Sequence, residues 1–295
     1  MDWTIPMMIP STSGIIRLKP FLNKHHEHVI KFSSTNDYIG LVQYFKELLQ
    51  QLCVENINIS DLPVIDQVVL LLRLRTVCIG PSCTLIIPKV DSDDNEKKSD
   101  EKDETDPDDS PDGKSYSVSL VDIQRDIMTN YIQPITIGNM DDVLVTVHYP
   151  TCWTKPTIKN YLSTVVIGNN NIDLKTLNDQ QIDQLIDNFP VDILNKINKS
   201  IKRLDNNINE RIYIKTVDSE PDIYLNHEIY IDILSVLYGE PLENFLEQIY
   251  VFVKFINMTM NDIMNLSPVD TQMYYALFEK ENKTREAANK QQTNS

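Results

Sequence analysis

The segment that most limits the fold is residues 63–78, PVIDQVVLLLRLRTVC. Eight of residues 63–74 are Val, Ile or Leu. The spacing predicts a helix, yet Val64, Ile65, Val68, Val69, Leu71 and Leu72 leave it almost no polar face. Such a helix must be buried on most sides. Its longest purely apolar run, Val68 to Leu72, is far below the roughly twenty residues that span a membrane. Asp66 and Arg73 stand two turns apart on one face, and Arg73 and Arg75 occupy the last turn, where the helix dipole favours cations. Gly80 and Pro81 then end the element. The arginines have two readings: caps of a buried helix with packed stems, or forks for a partner's carboxylates. Asp66 and Arg73 are the candidate partner-binding residues. Arg73 is expected to matter more than Arg75, which lies about 200° further round.

Net charge narrows the function. The chain has 27 basic and 43 acidic residues, a formal charge of -16. Such a chain repels a phosphate backbone, which argues against nucleic acid as a partner. The cluster Lys196, Lys199, Lys202 and Arg203 has no interleaved aromatic platform and reads as a solvated helix face. With 7 glycines and no GxGxxG or Walker loop, dinucleotide and P-loop chemistry are set aside. Four scattered cysteines make no disulfide scaffold, and MDWTIPMMIPSTSG has no signal-peptide pattern. The expectation is a soluble protein of a reducing cytoplasm, with no membrane contact.

Half of the charge sits in residues 91–114, DSDDNEKKSDEKDETDPDDSPDGK, with 12 acidic and 4 basic residues. Without apolar anchors this insert is expected to be disordered. It lies between CTLIIPKV and SYSVSLVDI, which read as strands, so it is either a long hairpin tip or an acidic lure that mimics nucleic-acid charge. Upstream, IIRLKPF and HVIKFSS read as strands. Thr35, Asn36 and Asp37 then offer caps for the amphipathic helix DYIGLVQYFKELLQQL, and Asp61 for the apolar one. Downstream, DVLVTVHY and RIYIKTV read as strands, 176–189 (opened by Thr176) and 191–204 as helices, and 226–280 as helical. The fold class expected is α+β. Residues 1–130 form a mixed domain with short strands and two core helices, residues 131–280 a helix-rich part, and 281–295 a flexible tail.

No nucleophile elbow, HExxH, EF-hand or kinase signature is present. The strongest metal candidate pairs Cys78 and Cys83 with His148 and Cys152, four ligands of zinc-binding type on neighbouring hairpins. It competes with the reading of free cysteines as small buried hydrophobes. The HHEH cluster at 25–28 falls in an expected hairpin turn, where adjacent histidines diverge. A binding or assembly protein without cofactor is favoured over an enzyme, with a small metalloenzyme as the remaining alternative.

The order of features from residue 9 to about 130 resembles the baseplate hub family of T-even-type contractile-tailed phages. IPSTSG, the pair IIRLKPF and HVIKFSSTNDYIGLV, the helix LPVIDQVVLLLRLRTVCIG and the strand SYSVSLVDI follow in that order. The helical stretch 226–280 is similar as well, while the insert 91–114 departs from the family pattern. The resemblance implies a tail baseplate hub component or a hub-assembly factor that acts by protein–protein contact. Its partners would be other hub and tail proteins, with room for a homo-oligomer. It would reside in the virion baseplate, or in the host cytoplasm during assembly. The alternative is an acidic charge mimic that engages a basic partner through 91–114.

Overall fold

The computed structural model describes residues 3–12, 14–88, 113–138, 143–153, 156–211, 213–214, 223–224, 238 and 241–293. Most of the acidic insert lies outside the described residues, and so do the expected disorder and charge mimicry assigned to it.

The chain opens with an antiparallel ribbon, β1 (Ile5–Met8) and β2 (Ile15–Leu18), which buries Ile5, Met7, Ile16 and Leu18 on one face. The next element corrects the sequence expectation: Asn23–Ser34 is helix α1, not a strand. Its buried positions are Asn23, His26, Val29 and Ile30. Polar Asn23 and His26 carry half of the stripe, so a purely apolar pattern hides the helical period. Asn36 then turns with φ 53°, and Asp37 caps α2 (Tyr38–Leu52) by accepting from the Gly40 N–H at 2.9 Å. A Cβ at Gly40 would lie 2.6 Å from the Phe32 ring, so glycine lets α1 and α2 close tightly here.

The apolar helix is α3 (Val64–Cys78). Pro63, not Asp61, occupies its cap position; Asp61 ends a short 3-10 turn, and the Val64 N–H bonds instead to the Pro150 carbonyl. β3 (Ser82–Pro88) pairs antiparallel with β4 (Gly113–Ser119), so the insert joins two hairpin strands. The strand expected to run through Ile123 stops at Ser119, whose hydroxyl accepts from the Asp122 N–H and starts α4 (Leu120–Asn130).

Residues 135–173 form an antiparallel meander in sequence order: β5 (Ile135–Gly138), β6 (Val143–Val147), β7 (Leu162–Ile167) and β8 (Asn170–Asp173). Gly168 (φ 58°) makes the tight β7–β8 turn. Along β6, Val143, Val145 and Val147 point inward and Leu144 outward. After α5 (Asp179–Asp187), which Asn178 caps rather than Thr176, α6 (Val191–Arg211) lays Ile193, Ile197 and Leu204 into the core. A two-residue pair, β9 (Tyr213–Ile214) with β10 (Ile223–Tyr224), follows.

The C-terminal helices are α7 (Leu242–Val251), continued by a π-turn at Phe252–Ile256, then α8 (Met260–Met264) and α9 (Pro268–Thr293). Ser267 splits the helix expected over this stretch, because its hydroxyl accepts from the Asp270 N–H ahead of Pro268. α9 runs on through the segment expected to form the tail, as far as Thr293. Helix-forming residues and the Glu281–Arg285 pair at 2.7 Å sustain it.

One buried cluster runs from Ile5 through α3, α4 and the meander to Leu204 and Tyr238, across the boundary expected near residue 130. A second, smaller cluster joins Phe245, Ile249, Phe252 and Ile263 to Ile30 of α1. Among the described residues no helix is long and apolar enough to cross a membrane.

Candidate functional site

α3 carries both candidate partner-binding residues, and its neighbours give them different surroundings. β1, α2 and α4 pack around the helix. They leave only Arg73, Thr76 and Val77, at spacings of three and four, partly accessible in the stretch from Val64 to Cys78. Arg73 therefore stands on the one strip of α3 that reaches the surface.

Asp66 shares the angular position of Arg73 but is fully buried. The Ser11 N–H donates to Oδ1 at 3.2 Å, while Oδ2 has no hydrogen-bond partner among the described residues. Burial pushes the carboxyl up to about 6, against the opposing pull of Ser11. The Tyr131 hydroxyl is buried and unpartnered as well; burial raises it first, the charge of Asp66 second. The Tyr131 ring lies 5.0 Å from that of Tyr149. The Tyr149 hydroxyl accepts from the Asn207 side chain at 2.9 Å, and Asn207 donates to the Asn130 carbonyl at 2.8 Å. Asp66 thus belongs to a buried polar seam linking α3, the end of α4, the end of β6 and α6.

Arg75 is the more buried of the two arginines. It is 8% exposed, and its guanidinium donates to the carbonyls of Gly80 at 2.6 Å and Ser82 at 3.4 Å. It ties the end of α3 to the start of β3. The sequence shows the 200° offset from Arg73 but not that the chain folds back over that side.

The four proposed zinc ligands do not converge. His148 and Cys152 flank the N-terminal end of α3, where the Trp153 indole donates to Gln67 at 2.8 Å. Cys78 and Cys83 lie at the other end of a helix of 15 residues, about 20 Å away. Cys78 turns inward, accepts from the Phe21 N–H at 3.3 Å, and its thiol is pushed up to about 11 by burial. Among the described residues no three His, Cys, Asp or Glu side chains are placed to share a metal ion.

The HHEH histidines stand on α1 rather than in a turn. His26 is buried; its Nε2 bonds to the Tyr238 carbonyl at 2.8 Å, and its ring meets Phe21 at 5.8 Å and Phe245 at 5.9 Å. Desolvation drives its pKa down to about 4. The Tyr238 hydroxyl in turn donates to the Leu71 carbonyl. His26 and Tyr238 therefore connect α3, α1 and α7, a role that sequence spacing does not reveal because it depends on contacts across more than 160 residues. Asn23 adds a second tie, donating to the Ile263 carbonyl at 2.9 Å and to Thr271 at 2.6 Å.

The basic cluster on α6 is solvent-exposed, as its sequence suggested. Lys199, Lys202 and Arg203 border a cleft of about 550 Å³ with Ile132, Ser200, Asn206 and Asn207. Lys196 is held aside by Gly138 and Asp192.

No curated protein and no solved structure matches the chain. A family model described as T4 bacteriophage base plate protein matches residues 3–216. The match contains α3 with both arginines, the polar seam, the meander and α6. It takes in well over half of the 295 residues, so the chain belongs to the T4 bacteriophage base plate protein family.

Proposed function

We propose that the protein is a component of the baseplate hub, or a factor that assembles the hub, and that it acts by protein–protein contact without catalysis. The family match over 3–216 carries this reading. The surroundings of the titratable core groups support it. Asp66, His26, Cys78 and Tyr238 are held in packing and backbone hydrogen bonds, where they organise the fold. The partners are other hub and tail proteins, met in the virion tail baseplate or in the host cytoplasm during assembly. Arg73 is the contact residue on α3, presented with Thr76 and Val77; Asp66 supports that helix from within.

Cross-linking mass spectrometry of purified tails, beside infected lysate, tests the proposal. Cross-links to hub proteins in tails identify a component, and cross-links confined to lysate identify an assembly factor. Normal tails from phage lacking the gene, with cross-links to non-tail proteins alone, would overturn both.

A further inference from the structure

We propose that the basic cleft on α6 is a docking site for an acidic segment of another tail protein, an extended peptide in which carboxylates flank an apolar side chain. The inference rests on the reading that the protein acts by protein–protein contact, and it gives one such contact a place and a chemistry.

Lys199, Lys202 and Arg203 recur at i, i+3 and i+4, so they stand on one face of α6 with neighbouring Cβ atoms about 5–6 Å apart. All three are exposed, and none has a hydrogen bond or ion pair with a described residue. Other helical cations have a carboxylate one turn away: Lys31 pairs with Glu27, Lys196 with Asp192 and Arg285 with Glu281. Asp205, the nearest carboxylate along α6, accepts from the Tyr161 hydroxyl at 2.8 Å. Like charges one turn apart repel each other, at a small cost to the helix. In a chain with 43 acidic residues against 27 basic ones, three cations thus converge on one cleft with no described carboxylate in its lining.

The cleft is built before anything enters it. Its volume, about 550 Å³, is that of an ordinary ligand pocket. Asn207, which lines it, is 7% exposed and donates to the Asn130 carbonyl and the Tyr149 hydroxyl. The Ile132 N–H donates to the same hydroxyl at 3.4 Å, which holds the wall that follows α4 against α6.

Three features select the occupant. The cations take carboxylates or phosphates alike. Asn207 has both of its N–H donors engaged, so it offers a ligand its carbonyl oxygen, an acceptor that suits a peptide N–H and not a phosphate. Ile132 supplies an apolar wall rather than an aromatic platform on which a base would stack. The chain's own acidic residues 91–114 contain no Val, Ile, Leu, Met or aromatic side chain to meet that wall, and they carry four lysines. An acidic peptide with an apolar residue, from a different protein, satisfies all three.

Fluorescence anisotropy on the full chain reads the outcome, with a short labelled peptide alternating Glu and Leu as the probe. Saturable micromolar binding is expected at low salt, weakened about tenfold at high salt. A peptide with Gln in place of Glu should not bind. Lys199→Glu and Arg203→Glu should each weaken binding about tenfold with an unchanged melt. If either misfolds, Lys199→Gln combined with Lys202→Gln supplies the reading. Lys283→Glu, the same charge change on exposed α9, should leave binding as it is. Absence of saturable binding overturns the proposal, as does an equal loss with Lys283→Glu, which would be an effect of net charge alone. Tighter binding of a single-stranded oligonucleotide, or release of the peptide by inorganic phosphate, overturns the peptide as ligand. Binding that emerges only on deletion of residues 91–114 assigns the cleft to the chain's own segment, and a dimer that the peptide dissociates assigns it to a second copy; each overturns the proposal. Cross-links to hub proteins without peptide binding would overturn this inference alone and leave the baseplate reading standing.

Discussion

Helix α3 buries every apolar side chain but Val77, whereas α7 buries Phe245 and Ile249 and leaves Leu246 and Tyr250 half in water. The two helices are comparably greasy, so composition does not set the difference. Their neighbours do. α3 is surrounded by β1, α2 and α4, while α7 packs chiefly on α1 and its own π-turn. The apolar surface of α3 therefore holds the fold together, and that of α7 stays partly exposed. The seam between the regions is narrow and specific: His26 to Tyr238, Asn23 to Ile263 and Thr271, and Ile30 within the smaller cluster.

The largest effect should come from Val69, which has no exposure. Val69→Asp places an unpaired carboxylate in the centre of the large core and costs several kcal/mol, a major share of a stability of about 5–15. Loss of the cooperative melt is expected; a native-like melt would show that α3 is not the centre of the fold.

Ile249→Ala probes the smaller cluster. The truncation should cost about 2–4 kcal/mol locally. Hydrogen exchange should speed up in α7 to α9 while α3 amides keep their protection. Equal acceleration in α3 would make the two regions one cooperative unit.

Two buried groups give the regions opposite pH responses. His26, at the seam, has its pKa lowered from 6.5 to about 4. It therefore adds stability that is present above pH 6.5 and lost as pH falls through 4. Asp66, in the large core, is raised from 3.8 to about 6, so its contribution is present below pH 3.8 and lost as pH rises through 6. Each amounts to about 3 kcal/mol across its window, and between pH 4 and 6 they oppose each other. Asp66→Asn should make the protein lose stability more steeply than wild type on acidification from pH 6.5 to 4. His26→Gln should do the reverse. Chemical denaturation at half-unit pH steps measures both slopes, and parallel profiles for the two variants would refute the assignment.

The smallest effects separate the arginines. Arg75→Ala strips charge-assisted bonds from the Gly80 and Ser82 carbonyls and should cost about 2 kcal/mol. Arg73→Ala, on the accessible strip, should shift the melt by only a few tenths of a kcal/mol and act instead on hub cross-links. Equal melting of the two variants would place both residues in the same environment.

The stripe Leu41, Val42, Phe45, Leu48, Leu49 and Leu52 of α2 was legible in the sequence because its period of 3.6 is carried by apolar residues alone. So was the burial of α3. α1 was not, because a histidine and an asparagine complete its stripe, and they are tolerable inside only because the Tyr238, Ile263 and Thr271 partners exist. In the meander only β6 alternated clearly enough to be read; β5 and β8 have four residues each, β7 buries only Leu162 and Val165 of its six, and the Gly168 turn was the available clue.

The sequence by itself determined the α+β class, the buried apolar helix, the paired strands bracketing the acidic insert and the helical C-terminal part. These follow from local periodicity and turn chemistry, which need no partner to be read. Only the tertiary structure decided that Arg75 rather than Arg73 is the buried arginine and that the two halves of the zinc quartet sit at opposite ends of α3. It also decided that Asp66 lies under Ser11 and beside Tyr131, and that α7 leaves Leu246 and Tyr250 half exposed. Each of these depends on which distant segment covers a given face. That choice is made by the packing of the whole chain, not by the residues on the face itself.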